Sequence, residues 1–319
     1  MFTLVTACMN REAHLRQSLP KWLRLPHLTE ILVVDWSNRQ PLDDLLAIDP
    51  RVRVVRVEGE PKWILSYAYN AGIARATQPV IVKCDADCIP SAELLNYAPG
   101  PKHFFAGYWR SGAAVGKPSV NGQCIFLKSQ FQAVNGYSEV IRTYGRDDED
   151  FYDRLIAHGH ERKEIPPACL DFLDHSHDDR TANQFAGADS PSLERRVSRD
   201  PLYNEMHNGW LARAMPWDSA SRRAAYEEIA SADRFCVLRR DRSLDITIPS
   251  TIESQARLFA LRYMAKQLAG LSDGAVNTLD DRACLAVIGT RMYRGPQKGP
   301  VPSPAARSPA PRQILSQTV

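Results

Sequence analysis

The chain has no apolar run approaching the roughly 20 residues that a bilayer span needs, so no transmembrane helix is expected. It also has no basic leader. Met1-Phe2-Thr3-Leu4-Val5-Thr6-Ala7 is apolar but too short for a signal peptide, and it reads as the first strand of the fold. Cysteines with metal-finger spacing are missing as well. The seven present, Cys8, Cys84, Cys88, Cys124, Cys169, Cys236 and Cys284, are odd in number and scattered, as expected of small core thiols in a reducing compartment. Charge of one sign is scarce. A net +3, from 40 Lys and Arg against 37 Asp and Glu, argues against nucleic acid or an anionic membrane as the main partner. The turn after the first strand, Thr6 to Arg11, contains no glycine, which counts against the glycine-rich phosphate loop of a nucleotidyltransferase. The expected location is cytoplasmic, with peripheral contact to the inner face of the membrane left open.

What is present is strand–helix alternation. Phe2 to Ala7, Ile31 to Val34, Val52 to Val57 and Val80 to Cys84 are short β-branched or apolar runs. Arg11 to Leu25, with Asn10 as N-cap, and Ser66 to Ala76 have helical spacing between them. Continuous apolar strands separated by helices predict an α/β fold with a mostly parallel sheet covered on both faces. Ligands of such sheets bind beyond the carboxyl ends of the strands, where Asp35, Asp85 and Asp87 fall. Strand-like pieces at His103 to Trp109 and Gln123 to Lys128 precede a helix expected from Asp148 to His158, closed by Gly159. Residues 179–215 are polar and read as a loop or lid. Helices are expected at about 251–269 and 279–293, the first with a Ser250/Glu253 capping box, an apolar face of Ile252, Ala256, Phe259 and Tyr263, and Gly270 at its end. The organisation expected is a core over 1–180 in two halves, 1–100 and 101–180. A helical extension over 181–294 and a disordered Pro-rich tail over 295–319 follow.

Three acidic constellations carry chemistry. Asp85-Ala86-Asp87 places two carboxylates past a buried strand, where both reach one hard cation, Mn²⁺ or Mg²⁺, or one cation and a ribose. Tyr144-Gly145-Arg146-Asp147-Asp148-Glu149-Asp150-Phe151 puts four acids in a row. The helix dipole accounts for some of them, and one facing a cleft would serve as a general base. Asp174-His175-Ser176-His177 offers imidazoles to complete a metal site, or a plain polar loop. Trp63 and Trp109 are candidates for stacking on sugar or base, against the commoner role of core residues.

These motifs, in this order, resemble a known family. Val5-Thr6-Ala7-Cys8-Met9-Asn10-Arg11, Val33-Val34-Asp35-Trp36-Ser37, Trp63 to Gly72 and Asp85-Ala86-Asp87 look like family 2 glycosyltransferases of the GT-A fold. Gly122 to Leu155 resembles the galactosyltransferase-type module of β-1,4-galactosyltransferases and bacterial chondroitin polymerases, with Asn135-Gly136-Tyr137 and Gly145 to Asp150 matching in order and spacing. The resemblance implies an inverting, metal-dependent transfer of a sugar from a UDP-sugar to a carbohydrate hydroxyl in surface polysaccharide or glycoconjugate synthesis. It implies donor binding by Thr6, Ala7, Asn10, Arg11, Asp35, Ser66, Asn70 and Asp85, and metal binding by Asp87 with His175 or His177. Acceptor binding would fall to Asp147, Tyr144 and Gly145, and base catalysis to Asp148. One departure concerns specificity. Arg142-Thr143-Tyr144-Gly145-Arg146 stands where the galactosyltransferases carry a glycine-rich, tryptophan-containing turn, so donor and acceptor can differ from galactose and N-acetylglucosamine. The rival readings are a sugar nucleotidyltransferase and a noncatalytic sugar-binding protein on a transferase fold.

Overall fold

The computed structural model describes residues 1–174, 183 and 192–293. Strand β1 (Phe2–Cys8) leads through helix α1 (Glu12–Trp22) to β2 (Leu28–Trp36), β3 (Val52–Glu58), α2 (Leu65–Arg75) and β4 (Val80–Lys83). After β5 (Cys88–Pro90) come β6 (His103–Ala106), α3 (Trp109–Ala114), β7 (Cys124–Leu127), α4 (Lys128–Ala133), α5 (Asp147–Ala157), β8 (Glu161–Glu164) and β9 (Leu170–Phe172). The C-terminal part contains α6 (Leu193–Ser198), α7 (Pro201–Ala214), β10 (Tyr226–Ala232), β11 (Phe235–Arg240), α8 (Ser250–Ala269), α9 (Asp273–Asn277) and α10 (Asp281–Tyr293).

The large sheet has the order β10-β11-β3-β2-β1-β4-β7-β6-β8. The β11–β3, β3–β2, β2–β1, β1–β4 and β6–β8 pairs are parallel, and only β7 and β10 run against the rest. The central strands are apolar throughout because helices cover both faces. Alternate residues of β1 divide between two cores. Val5 joins the layer with α2 and α5, around Tyr67, Ala71, Phe131 and Phe151. Leu4 joins the opposite layer with α1, around Leu15, Leu19 and Trp22. The carboxyl ends of β1 and β4 therefore open on one side of a rigid slab.

Several expectations are corrected. Helix α1 starts after Arg11 rather than being capped by Asn10, whose φ is 54°. The Asn10 side chain instead accepts a hydrogen bond from the Arg39 amide and donates to Asn183. Strand β6 stops at Ala106, Gly107 lies against the Val120 carbonyl, where a Cβ would come within 1.9 Å, and Trp109 opens α3 instead. The described part of the expected loop over 179–215 is helical. Ser192 and Asp200 accept capping hydrogen bonds from the Arg195 and Leu202 amides, and Pro201 occupies the first turn of α7. Helix α8 follows Pro249 without a capping box, because Glu253 reaches His207 at 2.9 Å. It buries Ala256, Ala260, Leu261, Met264 and Ala265, while Phe259 and Tyr263 line an open groove; Gly270 ends it with φ 65°, as expected. The segment expected to be a helical extension also contains the β10–β11 hairpin, which completes the sheet because Val237 and Leu238 bury against β3. All seven cysteines are free thiols. Residues 295–319 lie outside the described residues, and no described helix is long and apolar enough to cross a membrane.

Candidate active site

A cavity of about 590 Å³ lies beyond the carboxyl ends of β1 and β4. One wall is formed by Ala7, Cys8, Met9, Arg11, Trp63, Leu65, Tyr69, Asp85 and Asp87. Facing them are Trp109, Gly122, Thr143, Tyr144, Gly145, Asp147, Asp148 and Glu149. The two acidic constellations, about sixty residues apart in sequence, thus share one space.

The Asp85-Ala86-Asp87 turn is fixed from behind. The buried Trp22 indole donates to the Cys88 carbonyl at 2.9 Å, and Leu173 N–H donates to the Asp87 carbonyl at 2.8 Å. Asp85 Oδ1 accepts from Lys83 Nζ (3.0 Å) and the Tyr69 hydroxyl (3.1 Å), and Oδ2 accepts from Gln123 Nε2 (2.9 Å). Burial would raise the Asp85 pKa, but the Lys83 charge and these hydrogen bonds overcome it and hold the carboxyl below its ordinary value. Asp87 is buried, unlike the partly exposed Asp85, and its Oδ2 lies 3.2 Å from Arg11.

The opposing carboxylates belong to the first turn of α5. Gly145 (φ 90°) and Arg146 (φ 70°) both take the left-handed conformation, and this sharp entry points the start of the helix at the cavity. Asp147 Oδ1 accepts from the Asp148 amide at 3.0 Å, as an acid at a helix N-terminus should. Asp148 is 8% exposed. Its Oδ1 lies 3.2 Å from Lys83 Nζ and accepts from the Tyr137 hydroxyl at 3.2 Å. Burial raises the pKa of both aspartates, and mutual repulsion with Asp85 adds to the rise, against the lowering effect of Lys83. The other two acids of the run have partners. Glu149 pairs with Arg162 at 3.0 Å and Asp150 with Arg154 at 2.9 Å.

Of the residues expected to bind donor or metal, Ala7, Arg11, Asp85 and Asp87 line the cavity, and Tyr144, Gly145, Asp147 and Asp148 line its other side. Trp63 and the 49% exposed Trp109 line it too. Five others do not. Thr6 is buried in β1. Asn10 braces the loop beside the cavity. Asp35 is fully buried, accepting from Asn38 N (3.0 Å), Asn38 Nδ2 (2.7 Å), Leu42 N (3.1 Å) and Arg56 (2.6 Å). Ser66 donates to the Ile141 carbonyl at 2.9 Å. Asn70 clamps Tyr137 and Glu139. His175 and His177 lie outside the described residues. The sequence reading missed Lys83, Gln123, Tyr69 and Tyr137 as members of the cluster. The signal for Lys83 was a lysine closing the otherwise apolar run Val80-Ile81-Val82.

Among the described residues no group of three or more His, Cys, Asp or Glu converges on a metal position. Asp87 suits a hard divalent cation of the kind held by one or two carboxylates, with substrate phosphates and water completing its shell. The residues present therefore fit such an ion.

Residues 3–98 match the sequence model of glycosyl transferase family 2, and residues 116–178 match that of the N-terminal domain of galactosyltransferase. No curated protein matches the sequence. Among solved structures, the catalytic domain of Drosophila β1,4-galactosyltransferase 7 with xylobiose aligns over 75% of this chain and 92% of its own, at 13% identity and TM-score 0.44. A Pyrobaculum calidifontis mannosyltransferase with GDP-Man and Mn²⁺ aligns over 92% and 87%, at 13% identity and TM-score 0.48. Glucosyl-3-phosphoglycerate synthase from Mycobacterium tuberculosis, with Mn²⁺, UDP and phosphoglyceric acid, aligns over 71% and 83%, at 13% identity and TM-score 0.44. Residues 3–98 are thus a family 2 region and residues 116–178 a galactosyltransferase-type region, and the chain is a glycosyltransferase.

Proposed function

We propose that the protein is an inverting, metal-dependent glycosyltransferase that moves a sugar from a UDP-sugar to a carbohydrate hydroxyl, in surface polysaccharide or glycoconjugate synthesis. The observation that carries this reading is the meeting of Asp85 and Asp87 with Asp147 and Asp148 across one cavity. UDP as the nucleotide, and polysaccharide as the product, follow from the resemblance of the motifs to family 2 enzymes and chondroitin polymerases.

Asp87 is the residue that would hold Mn²⁺ or Mg²⁺, with His175 or His177 as the second protein ligand. When bound, the ion supplies positive charge against the departing diphosphate. Arg11, now 3.2 Å from Asp87, is placed to turn its guanidinium to the diphosphate. Trp63 and Trp109 bound the space for the nucleoside and sugars and exclude water from it. Asp147, with Tyr144 and the Gly145 backbone, orients the acceptor. Asp148 takes the acceptor proton on Oδ2, which accepts no hydrogen bond among the described residues, while Oδ1 stays held by Tyr137 and Lys83. Burial pushes the Asp148 pKa up to about 8, so the carboxylate, once ionised, is a stronger proton acceptor than an exposed aspartate.

The test is a thermal-shift screen of UDP-sugars with and without Mn²⁺, on the wild type and Asp87→Ala. Ligand at 100 times its dissociation constant adds about 2.7 kcal/mol of stability. A metal-dependent shift with one UDP-sugar, absent in the variant, is expected. No shift in the wild type under any metal condition would move the noncatalytic reading to the front. NMR of the product's anomeric centre then reads inversion directly.

A further inference from the structure

Lys83 ends a strand at the centre of the sheet, between Val5 of β1 and Cys124 of β7, and its side chain is 0% exposed. Burying an ammonium is costly, and an apolar side chain packs such a position at least as well. The fold alone gives no reason for a lysine there. The reason lies in what the ammonium touches. It donates to the Gly122 carbonyl (2.6 Å) and Asp85 Oδ1 (3.0 Å), forms an ion pair with Asp148 Oδ1 (3.2 Å), and sits 4.7 Å from the centre of the Tyr69 ring. These partners come from four segments and from both matched regions of the chain. Gly122 belongs to the same arrangement. A Cβ there would come within 2.8 Å of Asp85 Oδ2 and 3.4 Å of both Asp148 Oδ2 and Lys83 Nζ.

We propose that Lys83 is the positioning residue of the transfer, its buried ammonium fixing the Asp148 carboxylate against Asp85 so that Oδ2 faces the acceptor hydroxyl. The inference rests on Asp148 being the base. In the step it serves, the acceptor O–H proton passes to Asp148 Oδ2 and the acceptor oxygen bonds to the anomeric carbon. The bond from that carbon to the diphosphate oxygen breaks, with its electron pair leaving on the diphosphate. Lys83 neither gains nor loses a proton. It locks one oxygen, with the Tyr137 hydroxyl beside it, and offsets the repulsion among Asp85, Asp147 and Asp148.

The experiment is a double-mutant cycle on the full chain with Lys83→Met, Asp148→Asn and the pair together. It reads kcat, the donor KM and the midpoint of thermal unfolding. Asp148→Asn should lower kcat about a hundredfold or more, as loss of a general base does. Lys83→Met should lower it about as far with the donor KM little changed. Because Lys83 acts through Asp148, the double variant should be no slower than the slower single variant. Multiplying losses would show that Lys83 acts independently of Asp148 and overturn the proposal. Wild-type turnover in Asp148→Asn would instead sink the base assignment while leaving Lys83 to be judged by its own kcat. Should Lys83→Met unfold, stability decides. Asp148→Asn removes the more buried of the two carboxylates left without their cation, so the double variant must fold better than Lys83→Met. A double variant that fares no better assigns Lys83 to the fold alone.

Discussion

Asn70 separates a residue of the fold from a residue of the site. The resemblance to family 2 enzymes implies that it binds donor, yet its buried amide is spent inside the protein. Asn70 Nδ2 donates to the Tyr137 carbonyl and to Glu139 Oε1, both at 2.9 Å, and Oδ1 accepts from the Tyr137 amide at 2.8 Å. The clamp ties α2 to the turn Asn135-Gly136-Tyr137, where Gly136 has φ 70° and a Cβ would come within 2.6 Å of Asn70 Oδ1. Asn70→Ala removes all three hydrogen bonds and leaves the peptide groups of Tyr137 buried and unpaired. At a net value of about 1 kcal/mol per bond, the loss is about 3 kcal/mol, and more if no water enters. At an unfolding entropy of about 2.1 cal/mol/K per residue, each kcal/mol moves the midpoint of this 319-residue chain by about 1.5 °C, so a fall of about 4–5 °C is expected. Denaturant unfolding gives the free energy, and initial rates against UDP-sugar concentration give the donor KM. The variant should lose stability and keep its KM. A variant as stable as the wild type to within about 0.5 kcal/mol, with a donor KM raised tenfold, would refute the assignment.

Arg11→Gln removes the guanidinium beside Asp87 and should weaken UDP binding by about 1.5–3 kcal/mol, a factor of ten or more, without weakening Mn²⁺ binding measured alone by calorimetry. Equal loss of both would mean that Arg11 shapes the metal position itself. Glu30 governs acid stability. Burial pushes its pKa up, but hydrogen bonds from Thr3, Thr77 and Arg53 outweigh burial and hold it below its ordinary value of 4.5. Because the folded value is the lower one, its contribution is present above about pH 4.5 and is lost as the pH falls through the folded value. Glu30→Gln should therefore be less stable than the wild type at pH 7 and approach it on acidification. A stability gap that does not narrow between pH 5 and pH 2 would contradict this reading.

Periodicity alone was sufficient for the core of the fold, since buried parallel strands must be apolar throughout and leave a pattern in the chain. The described strands over 2–83 and the helices near 65–75, 147–157 and 250–269 all follow from it. The misreadings occurred where a local polar sequence serves tertiary contacts. Residues 192–214 look like a loop because Asn204, His207 and Asn208 are polar, yet these side chains are buried and paired. Asn208 holds the carbonyls of Tyr144 and Gly145 from behind. The β10–β11 hairpin escaped notice because β10 is exposed along most of its length and shows no apolar alternation.

The sequence by itself determined the chemistry available. The order of Asp35, Asp85-Ala86-Asp87 and Asp147-Asp148 resembled that of family 2 glycosyltransferases, and the strand ends placed Asp35, Asp85 and Asp87 where ligands of a parallel sheet bind. Tertiary structure decided which of these groups face the cavity. Asp35, Ser66 and Asn70 turn inward, because their hydrogen-bonding partners at Arg56, Ile141 and Tyr137 lie at the backs of the elements that carry them. It also brought Lys83 to Asp148. The two residues are far apart along the chain, and only the packing of β4 against β7 and α5 places one ammonium 3.2 Å from that carboxylate.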